Sequence, residues 1–318
     1  MKLLSFDGGS GPRLGLIAQD ESIIDLADDG RAEFASMQAL IEAGESAWDA
    51  ARTVAASGRT GLDPSSITWL SPLPRPIQMR DFLVFEVHMQ GAVWNGAKLR
   101  EQLGVGPQAP STPPPVPHIW YQQPIYYKCN RFAVVGPDTV TNWPSYSKVA
   151  DYELELACVI GRGGRDIPVG EAHKHIFGYT IFNDLTARDA QFKEMQGPLG
   201  PAKGKDFDGA NILGPVIVTA DEIDAGSLAM RAFVNDELWS EGNSSTMHWS
   251  FPDIIAHVSQ SETLHPGEVL GSGTVGNGCG LELGRMLRHG DIVTLEIEGI
   301  GRQRTTIHAP HIVERTVL

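Results

Sequence analysis

The sequence predicts a mixed, mainly β fold in two domains. Its 318 residues include 35 glycines and 21 prolines, which are many for a helical protein and indicate short strands joined by turns. At roughly 150 residues per domain, the length indicates about two domains. Segments that place β-branched or aromatic residues between turn signals recur along the second part of the chain, at 133–136, 151–160, 177–183, 214–218, 229–235 and 291–298.

Residues 1–75 are predicted to form a small N-terminal α+β domain. Leu3, Leu4 and Phe6 run into a Gly-Gly-Ser-Gly-Pro turn, which is typical of a short β-meander. Apolar residues then recur at helical intervals between positions 34 and 57, so one or two helices should follow. Three prolines punctuate the chain after this part and place the start of a second domain, 76–318, among them: Pro72, Pro74 and Pro76.

The second domain begins with a strand-like run, 80–88, followed by a helix-compatible segment, 89–103. Residues 104–118 contain six prolines and can form neither a helix nor a central strand. A stretch of this kind inside a compact domain is usually a functional loop or a mobile flap.

Charge and composition argue against several classes of protein. The net charge is −14 and no cluster of Lys or Arg is visible, which argues against a nucleic-acid partner. No run approaches the ~20 apolar residues of a membrane span, and the first eight residues lack the apolar core of a signal peptide. The three cysteines are widely spaced without a C-x-x-C motif, which is typical of a reducing compartment. We therefore expect a cytoplasmic protein with neither a membrane nor a nucleic-acid partner.

An acidic strand, 151–160, is the sharpest local feature. Alternate residues of a strand share a face, so Asp151, Glu153 and Glu155 should line one side of it. Half-buried carboxylates repel one another unless a cation compensates them. The spacing alone fits either a cation site or the solvated acidic face of an edge strand.

A second polar group follows an apolar strand at 177–183. Asp184 stands at the strand end, and Arg188 and Gln191 follow four and seven residues later, on one face if the segment is helical. The local pattern fits two interpretations equally well. The three residues form a functional group, or Asp184 caps the following helix and pairs with Arg188.

Asp81 and His88 lie seven residues apart beside an apolar run. In an extended chain they would point to opposite faces, so their spacing alone does not join them. A single histidine beside an apolar run is more often structural than catalytic.

Common catalytic motifs are missing from the sequence. Residues 271–276 match G-x-G-x-x-G, but the Asn-Gly-Cys-Gly that follows cannot open a helix well, which argues against a dinucleotide site. There is no G-x-S-x-G, no P-loop and no H-E-x-x-H motif, which disfavours serine hydrolases, P-loop NTPases and zincin proteases.

Five sequence blocks together resemble one family, and they occur in the same order as in that family. The blocks are 151–157, 178–189, 204–215, 271–276 and 290–301. They are similar to the fumarylacetoacetate hydrolase family over about residues 77–308. The resemblance implies a mixed, mostly β roll as the catalytic domain, and the leading module more weakly resembles the small N-terminal domain that such proteins often carry.

The same resemblance implies an octahedral divalent metal site. The ligands carried over from the family are Asp81, Glu153, Glu155 and Asp184. Such an all-oxygen set suits Mg²⁺, with Mn²⁺ or Ca²⁺ as alternatives.

Catalytic and substrate-binding roles are also implied. His88 matches the general base of the animal-type hydrolases, and Lys205 matches a lysine of the family's G-K block. Smaller members place a glutamate three residues after the histidine, where this chain has Gly91, so Glu282 is the implied partner of His88. The further matches, to substrate, oxyanion or active-site positions, are Arg188, Gln191, Lys128 and Thr274.

The implied activity is hydrolytic cleavage of a carbon–carbon bond in a 1,3-diketone such as an acylpyruvate or fumarylacetoacetate-like diketo acid. Water activated by His88 would attack the metal-chelated substrate. Decarboxylation of a β-keto acid such as oxaloacetate, and hydration or isomerisation of a dienoate, are alternatives on the same scaffold. A catalytically silent metal-binding protein is an alternative of another class. Family members are commonly homodimers, and one is expected here.

Two departures concern the substrate. Leu83 stands where the animal enzyme of the family has a tyrosine. A second tyrosine of that enzyme aligns near Met195 of this chain. Apolar residues near the presumed pocket and the proline-rich flap predict a bulkier or more apolar substrate than fumarylacetoacetate; these residues are Phe82, Leu83, Phe85 and Trp120.

Overall fold

Sheet predominates over helix, as predicted from the sequence. The structure is a computed structural model that describes residues 1–197 and 199–318. Its strands are β1 (Lys2–Asp7), β2 (Pro12–Ile17), β3 (Ile23–Asp25), β4 (Thr68–Trp69), β5 (Met79–Phe82), β6 (Tyr126–Lys128), β7 (Val134–Val135), β8 (Thr139–Asn142), β9 (Ala150–Asp151), β10 (Leu154–Ile160), β11 (Ile176–Asp184), β12 (Thr186–Ala187), β13 (Asn211–Thr219), β14 (Ala229–Val234), β15 (Glu237–Asn243), β16 (Val269–Gly271), β17 (Ile292–Ile297) and β18 (Gly301–His308). Its α-helices are α1 (Met37–Ala43), α2 (Glu45–Ala55), α3 (Glu86–Gln102), α4 (Val169–Ala172), α5 (Arg188–Glu194), α6 (Ala202–Lys205), α7 (Phe251–Val258) and α8 (Gly280–Leu283).

Within residues 1–197 and 199–318, the strands form three sheets. The largest runs in the order β3-β2-β1-β13-β11-β10-β16-β5-β6, with β4 attached to β1 and β7 attached to β13. A second sheet has the order β15-β14-β17-β18-β8, and β9 pairs with β12 as a short ribbon. Apolar residues of β10, β11, β13, β14 and β17 belong to one core cluster.

The N-terminal strands join the largest sheet. β1 pairs antiparallel with β13, so that Leu3 lies opposite Ile217. Helices α1 and α2 form where the helical spacing predicted them. Because the sheet continues through both parts of the chain, the division at residue 75 stays a prediction.

Strand β10 is buried on both faces between β11 and β16. Leu154 and Leu156 belong to the core cluster that joins the two larger sheets, whereas Ala157 and Val159 belong to a second cluster with the N-terminal strands and helices. Glu155 continues the face of the second pair. The acidic strand is therefore not a solvated edge strand, and that alternative is wrong.

The strand predicted at 80–88 is shorter than predicted, with four residues in place of nine. β5 ends at Phe82, and α3 begins at Glu86. Between them, the Leu83 N–H donates to the Ile125 carbonyl beside β6 and the Val84 N–H to the Ser272 carbonyl beside β16, before the chain leaves the sheet for α3. This bend lets Asp81 and His88 open into one cavity, which an extended chain would prevent.

Candidate active site

A cavity of about 1010 Å³ opens where β5, β6 and β10 meet helices α3 and α5. Most of the sequence-predicted site residues line it, namely Asp81, His88, Lys128, Glu153, Glu155, Arg188, Gln191, Lys205 and Thr274. Asp184 and Glu282 lie behind this surface. Asp184 accepts a hydrogen bond from Lys205 at 2.5 Å, and Glu282 contacts His88 at 2.8 Å.

Three carboxylates from three different strands meet at the floor of this cavity. Asp81, Glu155 and Asp184 each offer an oxygen atom, and these oxygen atoms lie within 4.8 Å of one another. All three side chains are buried. Gly271 of β16 makes room for them, since a Cβ atom there would lie 2.5 Å from Asp81 Oδ1 and 3.2 Å from Glu155 Oε2.

The electrostatics of this cluster fit a bound cation. Burial, and then the charge of Asp184, raise the pKa of Asp81 to about 7, while burial raises the pKa of Asp184 to about 6. Burial also raises the pKa of Glu155 well above its usual value. Glu155 Oε2 and Asp184 Oδ1 are buried and lack a hydrogen-bond partner among the described residues. Like charges this close are stable together only with a proton or a cation between them, and an all-oxygen set suits a hard divalent cation.

Glu153 lies beside this cluster with two basic partners. Its Oε1 accepts from Arg188 Nη2 at 2.7 Å, and its Oε2 accepts from Lys205 Nζ. Burial raises the pKa of Glu153, but Lys205 and Arg188 together lower it below the usual value. Glu153 is therefore an ionised partner of both cations, and its place among the metal ligands stays a prediction.

His88 and Glu282 form a buried pair at the edge of the cavity. His88 lies in the first turn of α3 and Glu282 in α8, and Nδ1 of the ring lies 2.8 Å from Glu282 Oε2. Glu282 Oε1 also accepts from the Asn277 N–H at 2.8 Å. Burial lowers the pKa of His88, but the charges of Glu282 and, to a smaller extent, Glu153 raise it, and the net shift is upward. Glu282 occupies the space beside Gly91, where an added Cβ would lie 3.2 Å from Glu282 Cγ.

Arg188 does not pair with Asp184, so the helix-cap interpretation of that motif is wrong. Ala187 stands at the N-cap of α5, and Asp184 is the last residue of β11. The Arg188 guanidinium instead binds Asp151 Oδ2 from Nε at 2.8 Å and Gln191 Oε1 from Nη1 at 3.1 Å. Strand β9, which carries Asp151, and helix α5, which carries Arg188 and Gln191, together bring these side chains to one wall of the cavity.

The remaining predicted residues differ in how closely they approach the cluster. Thr274 Oγ1 lies 3.3 Å from Glu155 Oε1, as a direct contact. Lys128 lines the cavity but its side chain is exposed. The roles of both residues stay predictions.

Sequence reasoning missed two features of the floor. Tyr127 donates its hydroxyl to Asp184 Oδ2 at 2.5 Å, although only its neighbour Lys128 was singled out. Gly271 was noted only within a glycine pattern, yet it sets the approach of two carboxylates. No local sequence signal marks Tyr127, because its place opposite Asp81 follows from the pairing of β6 with β5.

The proline-rich segment lies along helix α3 instead of over the cavity. Trp94 Nε1 donates to the Pro110 carbonyl at 3.0 Å, and the Ala109 N–H donates to Glu101 Oε2 at 2.8 Å. No residue of 104–118 is among those that line the cavity. Phe82 and Leu83 do line it, whereas Phe85 and Trp120 are buried elsewhere. The role of this segment as a functional loop or mobile flap stays a prediction.

Comparison with known proteins connects this site to a family. The model for the fumarylacetoacetate hydrolase C-terminal region matches residues 92–308. The chain belongs to the fumarylacetoacetate hydrolase family. Oxaloacetate tautomerase fahd2, a mitochondrial protein of Xenopus laevis, is 33% identical over 310 residues, which cover 95% of this chain and 88% of that protein.

Solved structures of the same family share the fold. The fumarylacetoacetate hydrolase of Exiguobacterium antarcticum is 26% identical, with a TM-score of 0.73 over 97% of this chain and 99% of that chain. The maleylpyruvate hydrolase of Sphingobium sp. SYK-6, in complex with manganese(II) and pyruvate, is 24% identical, with a TM-score of 0.72 over the same shares. Because the relatives carry both tautomerase and hydrolase names, the reaction has to be argued from the site.

No helix in the described part of this family member is long and apolar enough to span a membrane.

Proposed function

We propose that this protein is a divalent-metal-dependent hydrolase that cleaves a carbon–carbon bond in an acylpyruvate-type 1,3-diketo acid. The observation that carries the proposal is the buried His88–Glu282 pair opening into the same cavity as the carboxylate cluster. Activation of a water nucleophile requires a base such as this histidine, whereas decarboxylation needs no water nucleophile.

The carboxylates of Asp81, Glu155 and Asp184 would hold the cation, with Glu153 as a fourth, predicted ligand. Mg²⁺ is our first choice and Mn²⁺ or Ca²⁺ the alternatives, because the ligands are all hard oxygen atoms. A cation bound there would supply Lewis-acid polarisation of the substrate oxygens and hold them in place.

His88 acts as the general base in this proposal. Glu282 accepts a hydrogen bond from the Nδ1–H group, which leaves Nε2 as the ring nitrogen that can take a proton from water. The water oxygen forms a bond to the acyl carbonyl carbon, and the bond from that carbon to the methylene carbon then breaks. The electron pair passes to the pyruvate half as its enolate, and the proton held by His88 returns to the methylene carbon. The products are a carboxylic acid and pyruvate.

Lys205 and Gln191 stabilise the oxyanion formed on the attacked carbon. Lys205 Nζ uses two of its three hydrogens on Glu153 and Asp184, which leaves one for the substrate. Arg188 donates to Gln191 Oε1, so the Gln191 amide group presents its nitrogen as the donor. Losing one such donor costs ~10²–10³ in rate in other enzymes.

The test is to strip the protein of metal, add acylpyruvates and then add Mg²⁺ or Mn²⁺. Metal-dependent loss of the enol absorbance, with pyruvate and the matching carboxylic acid formed in equal amounts, is expected. Release of CO₂ from oxaloacetate without cleavage of any diketone would overturn the hydrolase proposal in favour of decarboxylation.

Tautomerisation of oxaloacetate is the second candidate, because a relative that covers 95% of this chain carries that name. The same base would move a proton between carbon and oxygen without water attack. Rapid enol–keto exchange of oxaloacetate, with every diketone left intact, would favour this candidate.

A further inference from the structure

Resting on the proposed hydrolase function, we propose that the natural substrate carries an uncharged apolar acyl tail, held between helices α3 and α5. The keto-acid head lies at the carboxylate cluster, and the tail runs outward from it. The inference rests on cavity size, the distribution of polar residues along two helices, and the pairing of nearby cations.

The cavity is much larger than a short diketo acid. Its volume is about 1010 Å³, whereas one water takes about 30 Å³ of liquid and pockets of about 300–1,000 Å³ hold drug-sized ligands. Acetylpyruvate, the smallest acylpyruvate, would leave most of this volume filled by water.

Helix α3 changes from polar to apolar along its cavity-facing side. His88 lies in its first turn, and the cavity-lining residues that follow are spaced at helical intervals, namely Met89, Ala92, Val93 and Gly96. Only beyond them does a charged residue line the cavity, Arg100.

Helix α5 repeats this gradient from the opposite side. Arg188 and Gln191 line the cavity near the carboxylates, and Phe192 and then Met195, just beyond the helix, line it further out. Phe192 lies directly against α3, since a Cβ atom on Gly96 would lie 2.8 Å from Phe192 Cζ. The two helices therefore enclose a space with a charged inner end and apolar walls.

The two buried cations at the inner end, Lys205 and Arg188, already have carboxylate partners, and Lys128, which also lines the cavity, is exposed on β6 and belongs to neither helix wall. Lys205 binds Glu153 and Asp184, and Arg188 binds Asp151 and Glu153. Along the outer part, the Arg100 guanidinium stacks over Phe192 at 5.7 Å and its Nε donates to the Gly96 carbonyl at 3.3 Å. A second carboxylate on the tail would have to cross the apolar walls, whereas an alkyl or aryl tail would cover the half-exposed Met195 and Val93.

The test compares kcat/KM for acetyl-, butanoyl- and hexanoylpyruvate, together with adipoylpyruvate, which has the length of the hexanoyl compound but ends in a carboxylate. Each methylene that the walls cover should raise kcat/KM up to about fourfold, the factor that corresponds to about 0.8 kcal/mol. We expect hexanoylpyruvate to exceed acetylpyruvate by at least about tenfold and to exceed adipoylpyruvate. Equal values along the series, or a preference for adipoylpyruvate, would overturn the proposal.

Val93→Asp places a carboxylate in the apolar wall and should lower the hexanoyl-to-acetyl ratio of kcat/KM at least about tenfold. Val105→Asp is the matched control, because Val105 is an exposed valine that does not line the cavity. It should keep the ratio of the unaltered protein, and a fall as large as that in Val93→Asp would count against the tail site.

Calorimetric binding of the same four compounds to the Mg²⁺-loaded protein separates this inference from the proposed function. If none of them is cleaved, the hydrolase proposal fails, yet tighter binding of hexanoylpyruvate than of acetyl- and adipoylpyruvate would still support the apolar tail. Cleavage of all four with equal dissociation constants would keep the hydrolase and refute the tail.

Discussion

The Asp151 carboxylate holds Arg188 and, through backbone hydrogen bonds, the helix that carries Glu282. Arg188 Nε donates to Asp151 Oδ2 at 2.8 Å, and the N–H groups of Gly280 and Leu281 donate to the same carboxylate at 2.7 and 3.0 Å. One buried side chain thus fixes both the arginine beside the carboxylate cluster and the short helix behind His88.

Asp151→Asn should destabilise the fold and impair the site together. Arg188 keeps Glu153 as a partner, so we expect a loss of about 1.5–3 kcal/mol in the free energy of unfolding, the magnitude for one hydrogen bond to a charged group. Denaturant unfolding measures it. Glu241→Gln is the control, because its pair with Arg231 is exposed to solvent and should contribute little. Equal stability of the two variants would show that Asp151 is not such a support.

Glu282→Gln should lower the pKa of His88. Burial disfavours the charged ring, and the Glu282 carboxylate, with a smaller contribution from Glu153, raises the pKa above its usual value. An NMR titration of His88 measures the shift, and the acidic limb of the kcat/KM profile should move to lower pH with it. Glu171→Gln, at an exposed site, should leave both unchanged. An unshifted His88 in Glu282→Gln would contradict the pairing.

The same pair makes stability depend on pH. The folded-state pKa of His88 is raised, so the folded protein binds the proton more tightly than the unfolded chain does. The stabilisation is therefore complete below the unfolded pKa of histidine and is lost as the pH rises through the folded pKa. Unfolding of the parent protein and Glu282→Gln across this range should show the difference between them shrinking as pH rises, and a growing difference would refute this assignment.

Glu155→Gln should abolish the thermal stabilisation by metal. At a metal concentration of one hundred times Kd, the parent protein should gain about 2.7 kcal/mol. Glutamine keeps the size of the side chain but cannot supply a carboxylate ligand. Melting curves with Mg²⁺, with Mn²⁺ and after chelation test this, with Glu237→Gln as the control at an exposed position. A full metal response in Glu155→Gln would remove Glu155 from the ligand set.

Gly271→Ala should weaken metal binding by crowding the carboxylates. The added methyl group would lie 2.5 Å from Asp81 Oδ1, so that carboxylate must move. Calorimetric titration with Mn²⁺ should show a higher Kd. Gly170→Ala is a suitable control, because a Cβ there meets no atom within 4 Å. Equal affinities in the two variants would mean that the cluster tolerates the displacement.

Local pattern predicted the strands well but not where one of them ends. The glycine and proline content and the β-branched runs predicted the class, and β11, β14 and β17 form within one residue of the predicted segments, while β13 begins three residues earlier than predicted. The run at 80–88 continues as an apolar pattern, yet the chain leaves the sheet after Phe82. Leu83 and Val84 hydrogen-bond to Ile125 and Ser272, which are distant in sequence, and no local propensity encodes those partners.

The candidate site was likewise predicted only in part from local sequence patterns. Spacing placed Glu153 and Glu155 on one strand face, but it left a solvated edge strand possible until β10 was seen between β11 and β16. Glu282 became a candidate only through the family resemblance, because it lies 194 positions from His88. The homodimer expected from that resemblance stays a prediction.

The sequence by itself determined the mainly β class, the presence of helix between residues 34 and 57 and the residue types from which an oxygen-rich metal site can be built. Tertiary structure alone decided which of these charges meet: Asp81 with Glu155 and Asp184, His88 with Glu282, and Arg188 with Asp151 instead of Asp184. The physical reason is that strand alternation and helical spacing are set by the backbone of neighbouring residues. Contacts between distant carboxylates and their partners depend on how sheets and helices pack, and burial then fixes their charge states.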